Sequence, residues 1–179
     1  MIGPNAPIKL PKFSSQVHWE GEIGVVIGRE ARDLTEAQAF DVVAGYVIVN
    51  ELSAHDLQKR EGSPFIFDWF GTKSFHTAAP MGPWITPVNY IADPEDIKIK
   101  LWRNDEIKQD SSSAKMVHSI AELIAYISRH VALRPGDVIS TGSPKGIGAP
   151  HGEFLQPGDV VRIELEGCGT MTNPVEADV

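Results

Sequence analysis

Residues 17–27 read VHWEGEIGVVI, a stretch in which apolar and polar side chains alternate, and this alternation predicts a β-strand. One parity of the stretch is apolar and predicts a packed face: Val17, Trp19, Ile23, Val25 and Ile27. Glu20 and Glu22 fall on the other parity, so their carboxylates point the same way and repel each other unless a cation lies between them. A pair of this kind usually marks a solvated strand face, so the choice between that and a cation site depends on the rest of the chain.

A third carboxylate follows the next predicted strand. Residues 42–49 form a short, valine-rich apolar run that predicts a buried strand, and Glu51 lies at the corner where this strand ends. Ser53 and Asp56, three residues apart, predict a cap for a short helix that runs through Arg60. Hard divalent cations prefer oxygen ligands, so the three carboxylates together form a candidate metal site.

Length, composition and charge fit one globular domain over residues 1–179, with 42% hydrophobic and 22% charged residues. The net charge of −8 disfavours nucleic acid or an anionic membrane as a partner, because both attract clustered Lys and Arg. The single Cys168 excludes an intramolecular disulfide and a cysteine-based zinc site. We find no leader pattern after Met1 and no apolar run of about 18 residues, and we therefore expect a cytoplasmic protein.

The remaining elements are predicted from local patterns. A capping box at Thr35 to Gln38 predicts a short helix through about Asp41. Residues 97–102 and 107–110 flank a polar turn and predict a hairpin. A second capping box at 119–122 opens the strongest amphipathic helix of the chain.

Two similar turns and a glycine-rich loop follow that helix. The turns read LRPGDV at 133–138 and LQPGDV at 155–160, and each leads into a β-branched run that predicts a strand. Between them, residues 141–148 read TGSPKGIG. Because Pro150 interrupts a following helix, the loop does not match a nucleotide-binding pattern. Its backbone amides and the Thr141 hydroxyl can instead approach a small anion.

Residues 61–71 contain Gly62, Pro64 and several aromatic side chains, and they show no clean period. They predict a loop that packs over another part of the molecule. Its aromatic residues fit a core, the wall of an open site or a dimer contact: Phe65, Phe67, Trp69 and Phe70.

Six segments, taken in order and spacing, resemble the fumarylacetoacetate hydrolase family over nearly the whole chain. They are EGE at 20–22 with its VVIG strand, AGY at 44–46 leading to NELSAHDLQ at 50–58, KSF at 73–75, MGPWI at 81–85, PGDVI at 135–139, and TGSP at 141–144 with Gly146 and Gly148. The resemblance implies a mixed α/β, mostly β fold, the family's mixed β-sandwich roll with few short helices. It also implies a homodimer and one divalent cation, Mg or Mn, held by two glutamates and a third acid.

The resemblance carries over to individual positions as follows: Glu20, Glu22 and Glu51 as metal ligands, Lys73 and His55 as catalytic residues, and Thr141, Gln58 and Gly142 as substrate-binding residues. Three features depart from the family pattern. Glu51 stands where an aspartate is usual, and His55 replaces an arginine, which exchanges a permanent cation for a side-chain type suited to proton transfer. The chain also starts at a stretch that resembles the family's interior, so we expect the upstream lid with its His-Glu acid/base pair to be missing.

Together these features predict a metal-dependent C–C bond hydrolase or decarboxylase that acts on a small 2-oxo or 1,3-diketo acid. Such reactions pass through enolate-like charge, which a cation and a lysine can stabilise. Two alternatives stay open: an isomerase or hydratase of 2-hydroxy-dienoates, and a catalytically silent metal-binding homologue or interaction module. The other histidines are expected to have structural roles: His18, His76, His118, His130 and His151.

Overall fold

The computed structural model describes residues 1–59, 62, 64 and 67–178. It contains eleven strands: β1 (Ile8–Leu10), β2 (Val17–His18), β3 (Gly21–Ile27), β4 (Val43–Asn50), β5 (Ser53–Ala54), β6 (Met81–Pro87), β7 (Lys98–Arg103), β8 (Glu106–Ser112), β9 (Val138–Ser140), β10 (Val160–Leu165) and β11 (Gly169–Ala177). Two α-helices, α1 (Trp69–Lys73) and α2 (Ile120–His130), join them. Six short 3-10 helices complete the described part: Glu36–Val42, His55–Leu57, Val88–Tyr90, Pro94–Asp96, Ser113–Lys115 and Ala149–His151. The chain is therefore mostly β with few short helices, as predicted.

Two large sheets share one hydrophobic core. The five-stranded sheet has the order β1-β11-β10-β7-β8, and the four-stranded sheet has the order β6-β4-β3-β9. Core side chains come from both, for example Tyr46 and Ile48 of β4 with Leu101 of β7 and Ile163 of β10. Within the large sheets the pairings are antiparallel, apart from β1 with β11. The two-stranded sheet β2-β5 is connected directly to β3 and β4, because β2 precedes β3 and β5 follows β4 along the chain. Glu20 and Glu51 lie in these two connections.

The prediction of one strand over residues 17–27 is wrong, because the structure has two strands there, β2 and β3. β2 pairs with β5 and β3 pairs with β4 and β9, while Trp19 and Glu20 lie between the two strands. Since β3 has a neighbour on each side and side chains packed on both faces, all seven of its residues are buried. Glu22 therefore does not lie on a solvated face.

Two other predicted elements differ from the structure. Ser53 lies in β5 and does not cap a helix; the following turn is the 3-10 helix His55–Leu57. The predicted loop over residues 61–71 gives way to α1 at Trp69, because the Asp68 side chain accepts a hydrogen bond from Gly71 N (2.8 Å) and caps the new helix. Within these two predictions, Arg60, Glu61, Ser63, Phe65 and Ile66 lie outside the described residues.

The other local predictions are confirmed. Gln38 closes the first capping box as the 3-10 helix Glu36–Val42 begins, and Ser119 with Glu122 caps α2. Strands β7 and β8 form the predicted hairpin. In the Pro-Gly-Asp turns, Gly136 and Gly158 adopt φ of 91° and 97°, which favours glycine there. In the described part of the chain, no helix is long and apolar enough to cross a membrane.

Candidate functional site

The three candidate carboxylates meet at the ends of β3 and β4. The antiparallel register pairs Gly21 with Asn50, so Glu20 and Glu51, one residue outside each strand, lie side by side. Glu51 N donates to the main-chain oxygen of Glu20 at 2.9 Å. One ligand oxygen from each of Glu20, Glu22 and Glu51 lies within 4.8 Å of the other two. The register of two strands thus brings the third acid to the Glu-x-Glu pair.

Glu22 is the most enclosed of the three, with 2% of its surface exposed. Its Oε2 accepts hydrogen bonds from Ser140 Oγ (2.5 Å) and Gly142 N (2.8 Å), and its Oε1 accepts one from Ser143 Oγ (3.0 Å). Burial raises the pKa of Glu22, and these hydrogen bonds oppose that rise. Because a carboxylate oxygen has two lone pairs, Oε1 keeps one that is free for a cation.

Lys73, the last residue of α1, places its ammonium group at the same site. Its Nζ lies 2.7 Å from Glu20 Oε2, 3.1 Å from Glu51 Oε2 and 3.2 Å from the Glu51 main-chain oxygen. Burial by itself lowers the pKa of Lys73, but the hydrogen bonds and negative charge of the two glutamates outweigh burial and raise this pKa above its ordinary value. The lysine therefore carries a positive charge next to the carboxylates.

Glu20 is positioned by the ends of β4 and β5. Its Oε1 accepts a hydrogen bond from Ser53 Oγ (2.6 Å), and its main-chain N–H donates to Asn50 Oδ1 (3.0 Å). Asn50 is 1% exposed, and its Nδ2 has no acceptor among the described residues. A buried donor without a partner costs about 1–3 kcal/mol, so this amide is suited to bind a buried water molecule.

A cavity of about 350 Å³, here called the small cavity, adjoins Glu20 and Lys73. The predicted residues His55 and Gln58 line it, together with His18, Ser53, Trp69, Thr72, Ile147, Ala149 and Pro150. The structure thus brings the predicted catalytic and substrate-binding side chains of this segment to one side of the carboxylates. Their roles stay predictions.

His18 also lies at the small cavity, although the sequence suggested only a structural role for it. Its ring is 6.0 Å from that of His55, and its Nε2 lies 3.7 Å from Glu20 Oε1. Burial lowers the pKa of His18. Nδ1 lies 3.2 Å from the oxygen of Trp19, so Nδ1 is the donor to that oxygen and Nε2 faces the glutamate. The one feature of the sequence that could have indicated this location of His18 is its position two residues before Glu20.

Glu22 lines a second, larger cavity of about 730 Å³, together with Thr141, Gly142 and Ser143. The Thr141 hydroxyl donates to the main-chain oxygen of Ile23 (2.9 Å), and the Gly142 N–H donates to Glu22. The Thr141 hydroxyl and the Gly142 N–H, both predicted to bind substrate, thus donate hydrogen bonds within the protein, and their substrate-binding role stays a prediction. Within the TGSP segment, the hydroxyl that reaches Glu22 is that of Ser143, which was not among the predicted site residues.

The donor set fits a hard divalent cation. Three carboxylates offer only oxygen ligands, which Mg²⁺ and Mn²⁺ prefer. One oxygen from each carboxylate lies within 4.8 Å of the other two, so all three face a common point. Neighbouring oxygens around an octahedral Mg²⁺ are about 3.0 Å apart, so the carboxylates would move closer together when they hold the ion. Glu20 and Glu51 each already face a positive charge on Lys73, which shows that this point favours cations.

Both the sequence and the fold of this chain are similar to those of known proteins. A family model described as fumarylacetoacetate (FAA) hydrolase C-terminal matches residues 1–176. An oxaloacetate tautomerase from Xenopus laevis mitochondria is 37% identical over 177 residues, which are 98% of this chain and 54% of the relative.

Two solved structures are similar over almost the whole chain. A 5-carboxymethyl-2-hydroxymuconate delta-isomerase from Mycobacterium smegmatis superposes with a TM-score of 0.88 at 38% identity, covering 99% of this chain and 65% of the isomerase. A maleylpyruvate hydrolase from Sphingobium sp. SYK-6, in complex with manganese(II) and pyruvate, gives a TM-score of 0.84 at 31% identity, covering 99% of this chain and 61% of the hydrolase. This chain thus spans less than two thirds of the length of each of these proteins.

Proposed function

This chain belongs to the fumarylacetoacetate hydrolase family, and from its site we propose that it is a divalent-metal-dependent enzyme acting on a small 2-oxo or 1,3-diketo acid. The observation that carries the proposal is the meeting of three carboxylates and one lysine beside the small cavity. The favoured reaction is C–C bond hydrolysis or decarboxylation.

Glu20, Glu22 and Glu51 would hold the cation, with Glu22 using the free lone pair of Oε1. Mn or Mg is proposed, since the similar maleylpyruvate hydrolase binds manganese and a three-carboxylate set suits either ion. When bound, the cation would act as a Lewis acid toward the carbonyl and carboxylate oxygens of a 2-oxo acid.

The side chains of the small cavity would bind and orient the substrate. Lys73, already between two carboxylates, would neutralise negative charge that develops on a substrate oxygen. Gln58 offers both a donor and an acceptor to a substrate carboxylate or carbonyl. His55, half-buried in the cavity wall and stacked on Phe154, would transfer a proton to or from the reacting carbon. Trp69 would limit the access of water.

Isomerisation or tautomerisation of a 2-hydroxy-dienoate or 2-oxo acid is the second candidate. It is favoured by the higher identity of this chain to the isomerase (38%) and the tautomerase (37%) than to the hydrolase (31%). All of these reactions need the same stabilisation of enolate-like charge, so the described site serves each of them.

Turnover of the purified protein distinguishes these reactions. The protein is incubated with Mn²⁺ or Mg²⁺ and with oxaloacetate, acylpyruvates or hydroxymuconate-type acids. Release of pyruvate or of CO2 supports hydrolysis or decarboxylation. A change in the absorbance of the conjugated acid without a cleavage product supports isomerisation. Metal binding without turnover of any of these acids would contradict the enzymatic proposal and leave a silent metal-binding homologue.

A further inference from the structure

Gln109 lies in β8, in the five-stranded sheet, but its side chain reaches the strand that carries Glu22. It is 1% exposed. Its Oε1 accepts a hydrogen bond from Gly21 N, and its Nε2 donates to the main-chain oxygen of Pro144, each at 2.9 Å. Gly21 directly precedes Glu22, and Pro144 directly follows Ser143, whose hydroxyl donates to Glu22. One carboxamide therefore joins the two backbone segments that frame this carboxylate.

The end of β9 explains why a side chain is needed at this point. β9 pairs with Gly24 to Val26 of β3, and its last residue, Ser140, lies opposite Gly24. The pairing with β9 therefore stops short of Gly21. The N–H of Gly21 points away from β4, on the side where β9 has already ended. A buried N–H without an acceptor costs about 1–3 kcal/mol. Gln109 supplies the acceptor that a longer β9 would have provided.

The loop itself rests closely on β8. Gly146 has φ of +103°, and a Cβ atom at this position would lie 1.9 Å from the main-chain oxygen of Lys108, so the loop backbone touches the strand directly. Trp19 Nε1 donates to the main-chain oxygen of Gly146 at 2.9 Å. Pro144 and Gly146 are thus both anchored, and the position of Ser143 just before them is fixed.

We propose that Gln109 is a positioning residue that holds the loop 141–146 against β3 and thereby orients Glu22 toward the divalent cation. The cation is taken from the proposed function, whereas the contacts of Gln109 do not depend on it. A carboxamide is required because one end must accept and the other must donate. Leucine would leave both partners unpaired, and asparagine, one methylene shorter, would reach only one of them.

The test compares Gln109→Leu and Gln109→Asn with Asn173→Leu. Asn173 is the matched control: it is also 1% exposed, and its Nδ2 donates to Gly3 O (2.9 Å) and Ala6 O (2.8 Å) in another part of the fold. Calorimetric titration with Mn²⁺ should show an affinity about 10–100-fold weaker in the Gln109 variants, the range typical for residues that orient metal ligands. Asn173→Leu should lower the melting temperature but leave the affinity within about twofold, as expected for independent sites.

Hydrogen exchange provides a readout that does not need the metal. The Gly142 amide, which donates to Glu22, should exchange faster in the Gln109 variants. The Gly136 amide, which donates to Ile27 O (2.8 Å) at the other end of β3, should not change. If Gln109→Leu fails to fold, Gln109→Asn carries the test.

The outcomes separate this proposal from the proposed function. If wild-type protein does not bind Mn²⁺, the proposed metal site fails, and faster exchange at Gly142 alone still supports the positioning role. Unchanged Gly142 exchange together with unchanged Mn²⁺ affinity in the Gln109 variants would overturn it. Equal loosening of Gly142 and Gly136 would also overturn it, because Gln109 would then stabilise β3 as a whole.

Discussion

Lys73 donates a hydrogen bond to Glu20 across 53 positions of sequence, with Nζ 2.7 Å from Oε2. The same ammonium lies 3.1 Å from Glu51 Oε2. One cationic side chain thus compensates two of the three acids that are proposed to bind a metal. The site therefore combines a fixed positive charge with the carboxylates. Mutation can separate the proposed role of Lys73, stabilisation of negative charge on the substrate, from the proposed role of the glutamates, metal binding.

Replacement of Lys73 by methionine should lower turnover by about 100-fold or more, the usual loss when one charged group that stabilises an oxyanion is removed. Metal binding should survive, because the three carboxylates stay in place. Steady-state kinetics and Mn²⁺ titration measure the two effects. Lys9→Met, at a surface ion pair with Glu176, is the control. Lost metal affinity with full turnover at saturating metal would reverse the role assigned to Lys73.

Replacement of Glu22 by glutamine should abolish most Mn²⁺ affinity. The neutral carboxamide removes the negative charge that attracts the cation, and it weakens the hydrogen bonds that Ser140, Gly142 and Ser143 donate to the carboxylate. In wild-type protein, Mn²⁺ at 100 times its Kd should stabilise the fold by about 2.7 kcal/mol. Glu22→Gln should lose this stabilisation, whereas Glu164→Gln, at an exposed position of β10, should keep it. An equal rise in melting temperature for both variants would place the metal elsewhere.

The acid stability of the fold should depend on Asp159. Burial by itself raises the pKa of Asp159, but hydrogen bonds from Asn104, the Gln156 amide and Arg103 outweigh burial and hold this pKa below its ordinary value of 3.8. A carboxyl group whose pKa is lower in the folded state stabilises the fold above about pH 4. This contribution is lost as the pH falls through the folded-state pKa.

Asp159→Asn should therefore reduce the free energy of unfolding by about 1.5–3 kcal/mol at pH 7, the range for hydrogen bonds to a charged group. The difference from wild type should shrink below about pH 4. Denaturant melts at several pH values measure it. Asp137, in the similar turn at 133–138, is exposed and accepts from Arg134 N (2.7 Å), so Asp137→Asn is the matched control and should have a smaller effect. A pH-independent loss in Asp159→Asn would contradict the electrostatic explanation.

Local patterns predicted the parts of the fold that local forces determine. The capping box at Ser119, the hairpin β7-β8 and the turn glycines Gly136 and Gly158 each depend on residues a few positions apart. The candidate carboxylates were also named from the sequence: strand parity paired Glu20 with Glu22, and the corner position after the next strand, with the family resemblance, added Glu51. The structure brings the three together, and their role as metal ligands stays a prediction.

Contacts between distant segments were not predictable in this way. Ser143 and Glu22 are 121 positions apart, and the hydroxyl that reaches the carboxylate depends on where the loop lies on β8. The burial of Glu22 depends on β9, a neighbour that the strand pattern alone does not reveal. The helix α1 was missed because it has only five residues, one of them Gly71, and depends on its cap at Asp68.

The last prediction concerns self-association. Three neighbouring aromatic side chains are exposed: Phe67 by 45%, Trp69 by 62% and Phe70 by 78%. The rings of Phe67 and Trp69 are 5.8 Å apart, and Trp69 also lines the small cavity. Because such apolar surface favours contact with another protein, we propose a homodimer in which this aromatic cluster is covered.

Light scattering at micromolar concentration should give about twice the chain mass of 19.6 kDa. The double change Phe67→Ser and Trp69→Ser should shift the protein toward the monomer and raise KM, because Trp69 then no longer shields the small cavity. Tyr126→Ser, at an α2 side chain that is also 62% exposed, should change neither quantity. A wild-type mass near 19.6 kDa would exclude the dimer. A raised KM at unchanged mass would show that the aromatic cluster serves the cavity and not a subunit contact.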